Sequence, residues 1–293
     1  MKHWSPIIKH IEQSTGKSFA VSQQQALTGG SINNASMLSA DDGRQFFVKT
    51  NASGRQDMFE AEAEGLREIV SSHSIRTPKP ICYGDDGSQS YIVLEYLDLS
   101  GRADQHSLGQ QLAQMHQVTA ERFGWRIDNT IGATFQQNTE MDDWPAFWRD
   151  QRLGFQLRLA ADNGYGGELQ ALGEKLMVEM PVLFEGREIR PSMLHGDLWG
   201  GNVGGLADGT PVIFDPALYY GDREADIAMS YLFGGFLPDF YSGYQETFPL
   251  DDGFVSRITF YNLYHIINHL NLFGGGYHSQ AINMLEQVLA EIR

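Results

Sequence analysis

The sequence predicts an α+β chain of two lobes: a small antiparallel β-sheet lobe with one main helix, then a larger, mostly helical lobe. Three observations predict it. Strand-like runs crowd into the first hundred residues, helical periodicity dominates the rest, and the two regimes meet near residues 98–103. The boundary is placed after residue 97, giving an N-terminal β-rich lobe over 1–97 and a C-terminal helical lobe over 98–293. A cleft at such a junction is the expected place for a ligand.

Taken in order, Ser5 as cap and Pro6 at the first helical position open a short helix over 5–14. Phe19–Leu27, Ala35–Ser39 and Arg44–Thr50 read as strands, the last two joined by Asp42-Gly43, a strong hairpin signal. Met58, Glu62, Leu66 and Ile69 fall near one face of a helix over 57–70. Tyr91–Leu97 is the clearest strand in the chain. Helical patterns then fill 105–118, 143–162, 168–180, 223–233, 253–273 and 278–292. Short strands are expected only around Met193-Leu194, Val203-Gly204 and Val212–Phe214.

Composition excludes several partners. Lys plus Arg number 21 against 37 Asp plus Glu, a formal charge of −16, whereas nucleic-acid or anionic-membrane binding needs a basic surplus. Of 293 residues 42% are hydrophobic and 20% charged, which suits a folded chain with a substantial core. Cys82 is the single cysteine, so no internal disulfide forms, and its apolar surroundings mark it as a small core residue. The opening Met1–Pro6 shows no apolar core of signal-peptide length and no apolar stretch reaches about 20 residues, so the expectation is a cytoplasmic protein, its oligomeric state open with a monomer slightly favoured.

The chemistry sits in His195-Gly196-Asp197-Leu198-Trp199-Gly200-Gly201-Asn202. An Asp followed five positions later by an Asn, on a glycine-bearing loop, is a spacing suited to phosphoryl transfer. The carboxylate of Asp197 can accept the proton of an attacking hydroxyl, and the amide oxygen of Asn202 can reach a magnesium ion on the phosphates. Val212-Ile213-Phe214-Asp215-Pro216 supplies a second oxygen ligand, Asp215, at the end of an apolar run. Lys49, late in an early strand, can contact the α- and β-phosphates of ATP if a helix carboxylate holds it. Glu60, Glu62 and Glu64 are the candidates, and residues two apart on a helix lie about 200° apart, so they cannot all face Lys49. Glu62 is taken first and Glu64 second. Thr28-Gly29-Gly30-Ser31 can cover phosphates with backbone N–H groups, and Glu95-Tyr96-Leu97 can read an adenine edge with main-chain groups.

This order of motifs resembles the aminoglycoside phosphotransferase and choline kinase superfamily, which is protein-kinase-like, and His-Gly-Asp is that superfamily's form. More narrowly it resembles the fructosamine kinase (ketosamine-3-kinase) family. The match is carried by Phe47-Val48-Lys49, Phe59-Glu60-Ala61-Glu62, Leu194–Asn202, Asp215-Pro216-Ala217, Tyr220–Met229, Leu232-Phe233-Gly234-Gly235 and His269–Gly274. The resemblance implies a deglycation repair kinase using ATP and Mg2+. Its acceptor is the sugar 3-hydroxyl of a ribulosamine or fructosamine, small or linked to a protein lysine. On that reading the first lobe binds nucleotide and the second carries catalysis and acceptor. The pair Pro216-Ala217, where protein kinases carry Phe-Gly, argues against a flipping activation switch.

Trp199 is read as a wall of the sugar pocket and His269 as a substrate contact. His195 is read as a brace for the backbone and Asp226 as an anchor for the catalytic loop. His265 and His269, four apart, present a metal-like spacing without a third ligand. Tyr231, Phe233, Tyr261, Tyr264 and Phe273 are read as mostly core, with one or two of them lining the acceptor site. Two other functions stay open: an aminoglycoside- or choline-type small-molecule kinase, and a nucleotide-binding pseudokinase scaffold.

Overall fold

The computed structural model describes residues 4–27 and 32–292. In chain order its elements are α1 (Ser5–Thr15), β1 (Val21–Leu27), β2 (Asn34–Ala40), β3 (Gln45–Ala52), α2 (Gln56–Ser72), β4 (Pro80–Asp85), β5 (Gln89–Glu95) and α3 (Gln105–His116). There follow β6 (Asn129–Ile131), β7 (Thr134–Gln136), α4 (Trp144–Phe147), α5 (Gly154–Asp162), α6 (Glu168–Glu179), β8 (Ser192–Leu194), β9 (Val203–Gly205) and β10 (Pro211–Ile213). The chain closes with β11 (Tyr219–Gly221), α7 (Glu224–Ser230), α8 (Pro238–Thr247), α9 (Phe254–Phe273) and α10 (Tyr277–Glu291).

Two compact units result, Met1–Asp104 with Val203–Pro216, and Gln105–Asn202 with Ala217–Arg293. A single cut after residue 97 does not describe them. The β9–β10 hairpin joins the first unit through long-range main-chain bonds. Ile213 N–H donates to the Arg76 carbonyl at 3.0 Å, and Asp104 N–H to that of Gly209 at 2.9 Å.

In the first unit five strands form an antiparallel sheet in the order β1-β2-β3-β5-β4. Side-chain alternation splits β3 between two cores. Phe46 and Val48 pack with Ile7 and Ile11 of α1, while Phe47 packs with Phe59 and Leu66 of α2. Lys49 shares the parity of Phe47 and so points to the α2 side. The Asp42-Gly43 turn forms as expected, with Gly43 at φ 85°. Trp4, not Ser5, occupies the cap position of α1, and Ser5 begins the helix.

In the second unit α3 and α8 cross closely because two glycines remove the obstacle. A Cβ on Gly109 would stand 2.0 Å from the Phe240 carbonyl oxygen, and one on Gly243 would stand 2.2 Å from that of His106. Residues Trp148–Leu153 form a π-helical segment between α4 and α5. It buries Arg152, whose guanidinium lies over the Tyr219 ring at 4.1 Å and donates to Asn138 Oδ1 at 2.7 Å. No helix among the described residues is long and apolar enough to cross a membrane.

Candidate active site

The first unit assembles a cation between two carboxylates. Lys49 is buried, and its Nζ donates to Glu62 Oε1 at 2.8 Å and to Asp215 Oδ1. Glu62 occupies this place because Phe59, Ala63 and Leu66 fix the face of α2 that meets the sheet. Its neighbours are engaged elsewhere: Glu60 accepts from the Tyr83 hydroxyl at 3.1 Å, and Glu64 pairs with Arg67. Burial alone pulls the Lys49 ammonium down, but the charges of Asp215 and Glu62 outweigh it and hold its pKa above the usual lysine value. Asp215 follows β10 at φ 59°, a left-handed conformation that Asp tolerates better than most residues. Its side chain is 42% exposed, so the carboxylate meets both the buried ammonium and solvent.

The second unit holds the loop His195–Asn202, which leaves β8 where that strand pairs with β11. Asp226, in the first turn of α7, anchors its start. The buried carboxylate accepts from His195 N–H at 2.6 Å, Gly196 N–H at 2.8 Å and His116 Nε2 at 3.1 Å. Burial disfavours that charge, yet these hydrogen bonds hold its pKa below the usual carboxylate value. His116 is buried, which lowers its pKa, and its Nδ1 accepts from the Tyr244 hydroxyl 2.8 Å away. His195 braces the next step, its Nδ1 accepting from Asp197 N–H at 3.2 Å. Gly196 admits no side chain. Its φ is 82°, and a Cβ would stand 2.1 Å from the Ala217 carbonyl oxygen.

The loop ends with Asn202 turned back on Asp197. Its Nδ2 donates to the Asp197 carbonyl at 2.8 Å and to Asp197 Oδ2 at 3.0 Å. That orientation commits the amide nitrogen and leaves Oδ1 as the atom suited to a cation. Between them, the Trp199 indole folds over Gly201, where a Cβ would meet the ring at 2.3 Å.

The other expected site residues stand as follows. Gly29, Gly30 and Ser31 lie outside the described residues. Glu95 N–H donates to the Lys79 carbonyl at 2.8 Å, and its carboxylate pairs with Arg76 at 2.5 Å. Those two groups are therefore engaged within the first unit, and Tyr96 and Leu97 follow at the strand's end. Trp199 is 37% exposed, and His269 is half-buried with its ring 4.8 Å from that of Phe233. His265 is buried, with burial pushing its pKa down to about 3, and no group of three metal-capable side chains occurs among the described residues. The sequence reading counts Phe233 among five aromatics, mostly core with one or two lining the acceptor site, and does not single it out. It is 44% exposed, and the only sequence signal was the Gly234-Gly235 pair behind it.

The fructosamine kinase family model matches residues 3–291. This chain belongs to the fructosamine kinase family. Within it, the chain is 44% identical over 290 residues to a Synechocystis protein named "probable ketoamine kinase", covering 98% of this chain and 97% of that one. It is 42% identical over 282 residues to the chloroplastic protein-ribulosamine 3-kinase of Arabidopsis thaliana, covering 95% and 86%. A solved Haemophilus somnus structure with a provisional fructosamine-3-kinase name superposes with TM-score 0.88 at 28% identity, over 97% and 96% of the chains. An aminoglycoside phosphotransferase solved with ADP bound shares the fold alone, with TM-score 0.62 at 12% identity over 97% and 99%. The family's protein-kinase-like α+β fold is thus the fold of this chain.

Proposed function

We propose that this protein is a ketosamine 3-kinase, transferring the γ-phosphate of ATP to the sugar 3-hydroxyl of ribulosamine or fructosamine adducts. The observation that carries the reading is the Asp197–Asn202 bond, which holds a carboxylate and an amide oxygen in fixed relation on one loop. In the reaction the 3-oxygen of the sugar forms a bond to the γ-phosphorus while the bond from that phosphorus to the ADP oxygen breaks. Asp197 accepts the hydroxyl proton, and the bond from Asn202 holds its carboxylate in one orientation. Lys49, kept charged by Glu62 and Asp215, neutralises the nucleotide phosphates, and the backbone of Tyr96 and Leu97 reads the adenine edge.

The donor chemistry fits magnesium. Asn202 Oδ1 in the second unit and the solvent-facing Asp215 carboxylate in the first are hard oxygen donors of the kind that would hold a magnesium ion. Bound there, it would offset negative charge on the phosphates. The rest of the work falls to positioning, because phosphoryl transfer asks little covalent help of the protein.

Release of the amine after 3-phosphorylation would make the protein a deglycation enzyme, which we place in the cytoplasm. The test is 31P NMR of the full chain with ATP, magnesium and either ribulosyl-lysine or fructosyl-lysine. A new sugar phosphate at the 3-position is expected. Transfer to an aminoglycoside or choline with none to either ketosamine would overturn the reading, and nucleotide binding without any transfer would leave a pseudokinase.

A further inference from the structure

Beside the catalytic loop the second unit exposes aromatic rings that a stable fold would bury. Trp199 is 37% exposed, Phe233 44% and Phe273 57%. They form one run: the Trp199 and Phe233 centroids are 6.1 Å apart, edge to face, and the Phe233 and His269 rings 4.8 Å. His269 continues the run to Phe273 at 5.5 Å. The run begins at the base itself, since Trp199 N–H donates to the Asp197 carbonyl at 3.1 Å.

Phe233 is held there against its own preference. Its backbone lies at φ 55°, ψ 39°, a region that bulky L residues avoid, and Gly234 and Gly235 carry the chain onward at φ 110° and 71°. Stability alone would favour Gly or Asn at this position. His269 adds a third ring. Its Nδ1–H donates to the His265 carbonyl at 2.7 Å, and burial lowers its pKa below the ordinary histidine value.

A ketosamine carries a secondary amine three bonds from the carbon that bears the 3-hydroxyl, and that amine is protonated near neutral pH. With the hydroxyl at Asp197, the ammonium falls within reach of the neighbouring aromatic faces. We propose that Phe233, together with Trp199 and His269, forms an aromatic cage for the secondary ammonium of the acceptor, so that cation–π attraction selects amine adducts over uncharged sugars. The inference rests on the ketosamine reading above and adds the group that recognises the amine.

The test titrates two acceptors into the full chain with ADP and magnesium, following binding by calorimetry. One is the ribulosyl derivative of a small primary amine; the other is its ether twin, with oxygen in place of nitrogen. The wild type should bind the amine about 3- to 30-fold more tightly than the ether. Phe233→Leu, which keeps apolar bulk without a π face, should shrink that preference, and Phe233→Trp should keep it. Equal affinities in the wild type, or a Phe233→Leu variant with the preference intact, would overturn the cage. So would a variant weakened equally toward both acceptors. Phe233→Asn separates function from packing. It should hold or raise the melting temperature while losing the preference, and a lower melting temperature with the preference intact would mark Phe233 as structural. Failure of both acceptors in the 31P assay, with the binding preference present, would sink the kinase reading and leave the cage standing.

Discussion

Asn202 holds Asp197 by two bonds from a single amide nitrogen, at 2.8 Å to its carbonyl and 3.0 Å to its carboxylate. The chemistry expected of Asp197 depends on that grip as well as on the carboxylate. Asp197→Asn should lower kcat on a ketosamine by about 10²–10⁴-fold, the usual scale of general base catalysis. Nucleotide binding measured by fluorescence should survive the change, and turnover close to wild type would exclude Asp197 as the base.

Gly196 permits the tight exit from β8. With φ at 82° and a Cβ destined for 2.1 Å from the Ala217 carbonyl, Gly196→Ala must displace backbone. The expected loss is at least about 1–3 kcal/mol of stability, with kcat falling further than melting temperature alone would suggest. Denaturant titration paired with kinetics checks it.

Glu62 and Glu64 make a matched pair two residues apart. Glu62 holds the buried Lys49, so Glu62→Gln removes one partner of a buried ion pair, a class of change that costs about 3–5 kcal/mol. Asp215 still contacts Lys49, which puts the loss toward the lower end. KM for ATP should rise as well. Glu64→Gln loosens a partly exposed pair with Arg67 and should shift stability by less than about 1 kcal/mol. Equal effects from the two substitutions would contradict the geometry.

Two buried histidines set a pH dependence. Burial lowers the pKa of His116 and pushes that of His265 down to about 3. Below the unfolded value of about 6.5 the unfolded chain takes up protons that the native state refuses, so stability falls as pH drops. Above about 6.5 both states hold neutral imidazole and the effect vanishes. Each histidine contributes a slope of up to about 1.4 kcal/mol per pH unit in that window. Urea melts between pH 7 and 4.5 should show a shallower slope for His265→Leu; an unchanged slope would remove His265 from the account.

Much of this was legible in local pattern. The Asp42-Gly43 hairpin, four of the five strands before residue 96 and the long helices carry their periodicity over enough residues to be read, while β4, begun by Pro80, was not expected as a strand. The exceptions are short or depend on a partner. β6, β7 and β11 have three residues each, too few to establish a period, and α8 gains its place from the glycine crossing with α3. His195 as brace was also readable, because the N–H it holds is two residues away, and Asp226 was read as the loop anchor from its place at the start of a helix. Which of the five aromatics would be exposed was not, since an aromatic residue in a helical stretch has no mark that says exposed.

By itself, then, the order of residues determined most of the longer elements, the loop spacing from Asp197 to Asn202 and the family resemblance, all of which are encoded over short stretches of chain. Tertiary structure decided the rest: which of Glu60, Glu62 and Glu64 meets Lys49, and that the β9–β10 hairpin belongs with the first unit. Each of these joins residues 13 or more positions apart, and only the packing of side chains between elements can bring such groups within hydrogen-bond distance.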